Sequence, residues 1–123
     1  MTTNSQEMTE QFDRASLLER VEGDEELLAE MIKLFLADAP RLLDAMRNSL
    51  QQGDMIVLER SAHSMKGAAS NLSANITTAA ALKLEKNAKN GDAETSRASL
   101  SSLEEAVSRL VPILADMCQG VSK

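Results

Sequence analysis

The dipeptide Gly-Asp occurs three times, at 23–24, 53–54 and 91–92, and each time it falls where one apolar helical pattern stops and another starts. A glycine supplies the left-handed residue that ends a helix, and an aspartate side chain caps the first turn of the next. Turns this short make successive helices antiparallel neighbours. With a further break at Ser73 or Asn75, the chain divides into a short helix near 13–20 and longer ones near 24–51, 54–72, 76–90 and 94–118, and Gly120 punctuates the C-terminal end.

The apolar spacing inside these segments is helical. Leu28, Met31, Phe35, Ala39, Leu42, Met46 and Leu50 recur in steps of three and four, which lines one face of a helix. The next segment shows Leu58, Ala62, Met65, Ala69 and Leu72. The fourth shows Ile76, Ala80, Leu84 and Ala88, and the last shows Leu100, Leu103, Val107, Leu110, Leu114 and Met117. Pro40 and Pro112 interrupt two of the stripes. An internal proline costs about 3 kcal/mol or more, yet the spacing continues through both, which predicts kinked helices rather than broken ones. Aromatics make up only 2% of the chain, Phe12 and Phe35, and the apolar residues are mostly the helix formers Leu, Ala and Met. The expected fold is all-α: an antiparallel up-down four-helix bundle over residues 12–119, with an additional short N-terminal helix and a flexible segment at 1–11.

Charge and cysteine usage remove several function classes. A net charge of −6 without a basic stripe argues against nucleic acid and anionic membranes, and aromatics for base stacking are lacking. Residues 1–50 carry 11 acidic against 5 basic side chains, whereas residues 51–123 carry 8 of each. An acidic helix face that keeps the protein soluble accounts for this, and steering anionic competitors away is a weaker functional reading. Cys118 is the single cysteine, so no intramolecular disulfide or thiolate zinc site can form, and a reducing compartment fits. No apolar run reaches the roughly 18–20 residues that span a bilayer. The polar, acidic start is unlike a secretory signal. The expectation is a cytoplasmic monomer.

One glycine does not punctuate. Gly67 lies in the middle of the third helical segment, where it costs about 1 kcal/mol relative to Ala. It stands one turn after His63, the only histidine, and next to Lys66. On a helical wheel His63 lies about 100° from Ala62 and about 160° from Met65 in the opposite sense, away from the apolar stripe. Its neighbours one turn away are Glu59, Arg60, Lys66 and Gly67. The imidazole is therefore expected in water, with a cation beside it and no side chain one turn below. A free imidazole titrates near about 6.5, so at pH 7 a ring nitrogen is a competent nucleophile. An incoming phosphoryl group brings negative charge that Lys66 can offset, and Gly67 leaves room for it and for a partner's surface. Phosphoryl transfer depends mostly on positioning and charge neutralisation. No phosphate-binding loop and no acidic metal cluster accompanies these residues, so any nucleotide or metal comes from a partner.

Two other readings stand beside this one. A lone surface histidine is most often only a surface residue, which makes the chain a helical-bundle adaptor with His63 incidental. A metal-binding bundle fits poorly: di-iron bundles use two Glu-x-x-His motifs plus further carboxylates, and a haem ligand faces inward. Glu59 and His63 contribute at most to a weak metal site.

The stretch His63-Ser64-Met65-Lys66-Gly67 resembles the H-x-x-K-G signature of histidine-containing phosphotransfer (HPt) domains. Gly23-Asp24-Glu25-Glu26-Leu27-Leu28, the Leu34-Phe35-Leu36 to Pro40 stretch, and Leu84-Glu85 leading to Gly91-Asp92 are similar to the family pattern too, so the likeness spans roughly residues 12–115. The resemblance implies a phosphocarrier in a two-component phosphorelay, without kinase activity of its own. His63 accepts a phosphoryl group through Nε2 from a receiver-domain aspartate and passes it to another. Lys66 neutralises the phosphate and Gly67 keeps the site open. The implied partners are response-regulator receiver domains and a hybrid sensor histidine kinase. No intrinsic cofactor is implied, and Mg²⁺ arrives with the receiver. Candidate docking residues are Glu59, Arg60, Ser64 and Ser70, with Ile32 and Leu36 from the preceding helix, whose surplus apolar residues alternatively widen the core. Met65 replaces the usual Leu, and Ser73 stands where many members have Gly in an N-L-G-A stretch.

Overall fold

The computed structural model describes residues 14–122. The segment 1–11 and Phe12 lie outside them. Five helices follow one another: α1 (Arg14–Arg20), α2 (Glu25–Gln52), α3 (Met55–Asn71), α4 (Asn75–Lys89) and α5 (Ala93–Ser122). Among the described residues the chain is helical apart from the turns, with no strand. Helix α2 packs on α3, α3 on α4, α4 on α5, and α5 closes back on α2, which is an antiparallel four-helix bundle. Leu17 of α1 and Val21, just after it, join the core.

The Gly-Asp turns are built as their chemistry dictates. Gly53 and Gly91 adopt φ of 73°, a region that costs other residues a Cβ clash, and so end α2 and α4. The side chains of Asp24, Asp54 and Asp92 accept hydrogen bonds from the backbone N–H of Leu27, Val57 and Thr95 at 3.0, 3.1 and 3.1 Å. Each satisfies a donor that the first helical turn leaves without a partner. The α3–α4 turn follows the same backbone path with poorer materials. Ser73 holds the left-handed position at φ 55°, and its buried hydroxyl has no partner. Ala74 precedes α4 without a side-chain cap.

Both prolines lie inside continuous helices, α2 through Pro40 and α5 through Pro112. Helix α5 also runs through Gly120 to Ser122, so that glycine does not end it.

The apolar stripes of α3 and α5 form the core as their spacing indicates, with Leu58, Ala62, Met65, Ala69, Leu72, Leu103, Leu110 and Leu114 buried. Each fully buried Leu contributes about 1.5–3 kcal/mol. Two stripes are rotated from their expected positions. In α2, Leu43 and Ser49 are buried while Leu42 and Leu50 are only half-buried. In α4 the buried residues are Thr77, Ala81, Leu84 and Ala88, whereas Ile76 is exposed. The expected α4 stripe steps strictly by four, which advances about 400° and drifts roughly 40° per step off the core. Alternating steps of four and three keep to it.

Candidate functional site

His63 is on the outer face of α3, its side chain 65% exposed, because the core claims Ala62 and Met65 on the other side of the same turns. Its Nδ1 lies 2.8 Å from Oε2 of Glu85 on α4. The other oxygen of that carboxylate, Oε1, is 2.8 Å from Lys66 Nζ. One carboxylate thus bridges the imidazole and the ammonium, and it is the least exposed of the three groups at 16%, against 28% for Lys66. The Lys66 contact is an ion pair at hydrogen-bond distance.

The bridge fixes the protonation pattern of the site. The Lys66 ammonium, more than the His63 N–H, holds the Glu85 carboxyl below its ordinary range, against a desolvation effect in the other direction. Glu85 is therefore ionised at neutral pH and only accepts hydrogen bonds, so the proton of the Nδ1–Oε2 contact is on Nδ1. A neutral ring then carries its free electron pair on Nε2. The unprotonated nitrogen of a neutral ring is thus the one turned away from Glu85.

Gly67 completes the site by what it lacks. A Cβ there meets nothing within 4 Å, so the glycine leaves open surface directly beyond His63. Glu85 was not singled out from the sequence, although a signal existed. His63 and Glu85 are 22 residues apart, and an antiparallel hairpin folded about residue 74 sets them opposite each other.

The other candidate residues separate into two groups. Arg60, Ser64 and Ser70 are exposed on α3 and Glu59 is half-buried. Ile32 is a correction: it is fully buried in the core and presents no surface to a partner, because its position on α2 coincides with the stripe of Leu28, Phe35 and Ala39. Leu36 is half-buried against that core. The most exposed large apolar residue of this helix is Leu34, at 63%. It lines a shallow groove with Met31, Asp38, Ala68 and Asn71, one turn beyond Gly67 along α3. Among the described residues no cluster of His, Cys, Asp and Glu suits a metal ion, and no helix is long and apolar enough to cross a membrane.

Comparison with known proteins follows the same lines. The sequence matches no curated protein at a significant level. The structure is similar to histidine-containing phosphotransfer protein B (HptB) of Pseudomonas aeruginosa PAO1, with a TM-score of 0.83 and 25% identity over 89% of this chain and 95% of that one. It shares its fold with the maize histidine-containing phosphotransfer protein ZmHP2 (TM-score 0.76, 20% identity, 89% of this chain and 81% of that one). A rice structure of the same description aligns at TM-score 0.80 and 14% identity, over 98% of this chain and 91% of that one. The Hpt domain family matches residues 30–112, a span that holds His63, Lys66, Gly67 and Glu85 together with most of the bundle. The chain belongs to the Hpt domain family.

Proposed function

We propose that this protein carries phosphoryl groups in a two-component phosphorelay, with His63 Nε2 as the acceptor of a phosphoryl group from a receiver-domain aspartate and its donor to a second receiver. The observation that carries the reading is the Glu85–Nδ1 contact on a largely exposed ring, which leaves Nε2 unprotonated and open to a partner. In transfer the Nε2 electron pair attacks phosphorus, the P–O bond to the aspartate breaks, and the aspartate leaves as a carboxylate. The ring becomes cationic and keeps its Nδ1 proton against Glu85. Lys66, one turn along α3, is the cation within reach of the phosphoryl oxygens.

The chain carries no kinase machinery of its own in this reading, and the Mg²⁺ belongs to the receiver's phosphorylation site. The receivers, themselves phosphorylated by a hybrid sensor kinase, dock on the face that bears His63, between Arg60 and Ser70 on α3 and out to Leu34 on α2. The protein acts as a monomer in the cytoplasm.

The test is phosphate acceptance from a panel of phosphorylated receivers with Mg²⁺. Wild type is expected to gain an acid-labile, alkali-stable phosphate, and His63→Gln none, with its melting temperature unchanged because exposed substitutions shift stability by less than about 0.5 kcal/mol. Lys66→Ala is expected to fold normally and accept more slowly. A His63→Gln protein that is labelled like wild type, or a wild type that no receiver labels, makes the bundle an adaptor with an incidental histidine.

A further inference from the structure

We infer that Glu85 competes with the phosphoryl group for Lys66, and so weakens the hold of the site on the phosphate it carries. This rests on the phosphocarrier reading and adds to it a residue that sets the strength of the carrier.

The geometry divides the carboxylate's two oxygens between two tasks. Oε2 holds Nδ1–H and aligns the ring, a contact that a neutral amide oxygen also makes. Oε1 holds the Lys66 ammonium at 2.8 Å, a contact whose strength depends on the negative charge. Arg60 and Lys66 lie three residues either side of His63, and of the two it is Lys66 whose charge Glu85 already compensates in the unphosphorylated protein. When phosphate arrives on Nε2, the ammonium serves the phosphoryl oxygens only by giving up part of its attraction to Glu85. A partly exposed ion pair is an exchangeable one. The carboxylate also places a negative charge on the same side of the bundle as the phosphoryl group, while its attraction for the cationic ring works in the opposite direction at shorter range. These two effects offset each other, and the engagement of Lys66 decides the sign. A relay must release what it accepts, and a site with an uncommitted lysine holds phosphate harder.

The substitution Glu85→Gln separates the tasks. It keeps an oxygen for Nδ1–H and removes the charge that occupies Lys66. The probe is phosphoramidate, which phosphorylates histidine as its P–N bond breaks and ammonia leaves, and so reads the site without any docking. Full-length Glu85→Gln is expected to be phosphorylated about fivefold faster than wild type, the effect of freeing one partly exposed charge pair. Lys66→Ala and the double variant Lys66→Ala/Glu85→Gln are expected to react at one common rate. Glu85→Gln reacting no faster than wild type overturns the inference, and so does a gain that persists in the double variant.

A second measurement needs no phosphate. In Lys66→Ala the Glu85 carboxyl, followed by ¹³C NMR, is expected to titrate higher than in wild type, and an unchanged midpoint removes the ion pair and the inference with it. A wild type that accepts phosphoryl groups while Glu85→Gln shows no gain sinks this inference alone. A wild type labelled by neither phosphoramidate nor any receiver sinks the phosphocarrier reading as well.

Discussion

His63 and Glu85 illustrate how much one proton's position decides. The carboxylate of Glu85 is ionised because the Lys66 ammonium lies beside it and the His63 N–H points at it. A carboxyl held below its ordinary value of 4.5 contributes stability that is complete above that value and is lost as the pH falls through the folded-state midpoint. The melting temperature of wild type is therefore expected to exceed that of Glu85→Gln at pH 7, and the gap to close as the pH is lowered below 4.5 and through the folded-state midpoint. A gap that is constant across that range means the bridge is not charged. Little of this was legible from His63 alone. The wheel places the ring outside and Lys66 beside it, but a wheel describes one helix, and the group that sets the tautomer comes from the next.

On the scale of single helices, the weakest element boundary adjoins the strongest function. Ser73 takes a left-handed φ of 55° and buries a hydroxyl without a partner, where the turns after α2 and α4 use glycine. The left-handed conformation costs a residue with a Cβ about 1–2 kcal/mol, and an unpaired buried hydroxyl adds about 1–3 kcal/mol. Against this stands the greater freedom of glycine in the unfolded chain, worth about 0.5–1 kcal/mol. Ser73→Gly is expected to stabilise the protein by about 1 kcal/mol and raise the melting temperature by roughly 4 °C. An unchanged or lower melting temperature contradicts the account of this turn. Gly67 is the opposite case, a glycine kept in mid-helix where a Cβ has open space. Gly67→Ala is expected to gain up to about 1 kcal/mol in thermal unfolding. Gly67→Trp is expected to keep the fold and lose transfer from receivers, since the bulk falls where a partner approaches; full-rate transfer by the Trp variant removes the open-surface argument.

Across the whole molecule, neighbouring apolar residues of α2 serve different ends. Ile32 is fully buried, and Leu34, two residues on, is 63% exposed beside Asn71 of α3. Ile32→Ala is expected to cost about 2–5 kcal/mol in denaturant unfolding. Leu34→Ala is expected to stay within about 0.5 kcal/mol of wild type while slowing phosphoryl transfer from a receiver and leaving the rate with phosphoramidate unchanged. Equal slowing with both donors places the effect of Leu34 in the chemistry and not in docking.

Amphipathic spacing and three Gly-Asp turns are local properties, so the sequence by itself determined four antiparallel helices, their approximate ends, and an exposed His63 beside Lys66 and Gly67. Rotation of each helix about its own axis is not local. It is settled by simultaneous packing against two neighbours, which is why Ile32 proved to be core, Ile76 surface, and the stripes of α2 and α4 shifted. The partner of His63 depended on a single residue of turn geometry. Breaks centred on Ser73 or Asn75 reflect position 63 onto Lys83 or Asn87, whereas the observed turn, with Ser73 left-handed and Ala74 leading into α4, reflects it onto Glu85. A cation, an amide and a carboxylate give an imidazole three different chemistries. Only the tertiary structure chose among them, because the choice was made by how two helices meet and not by what either one contains.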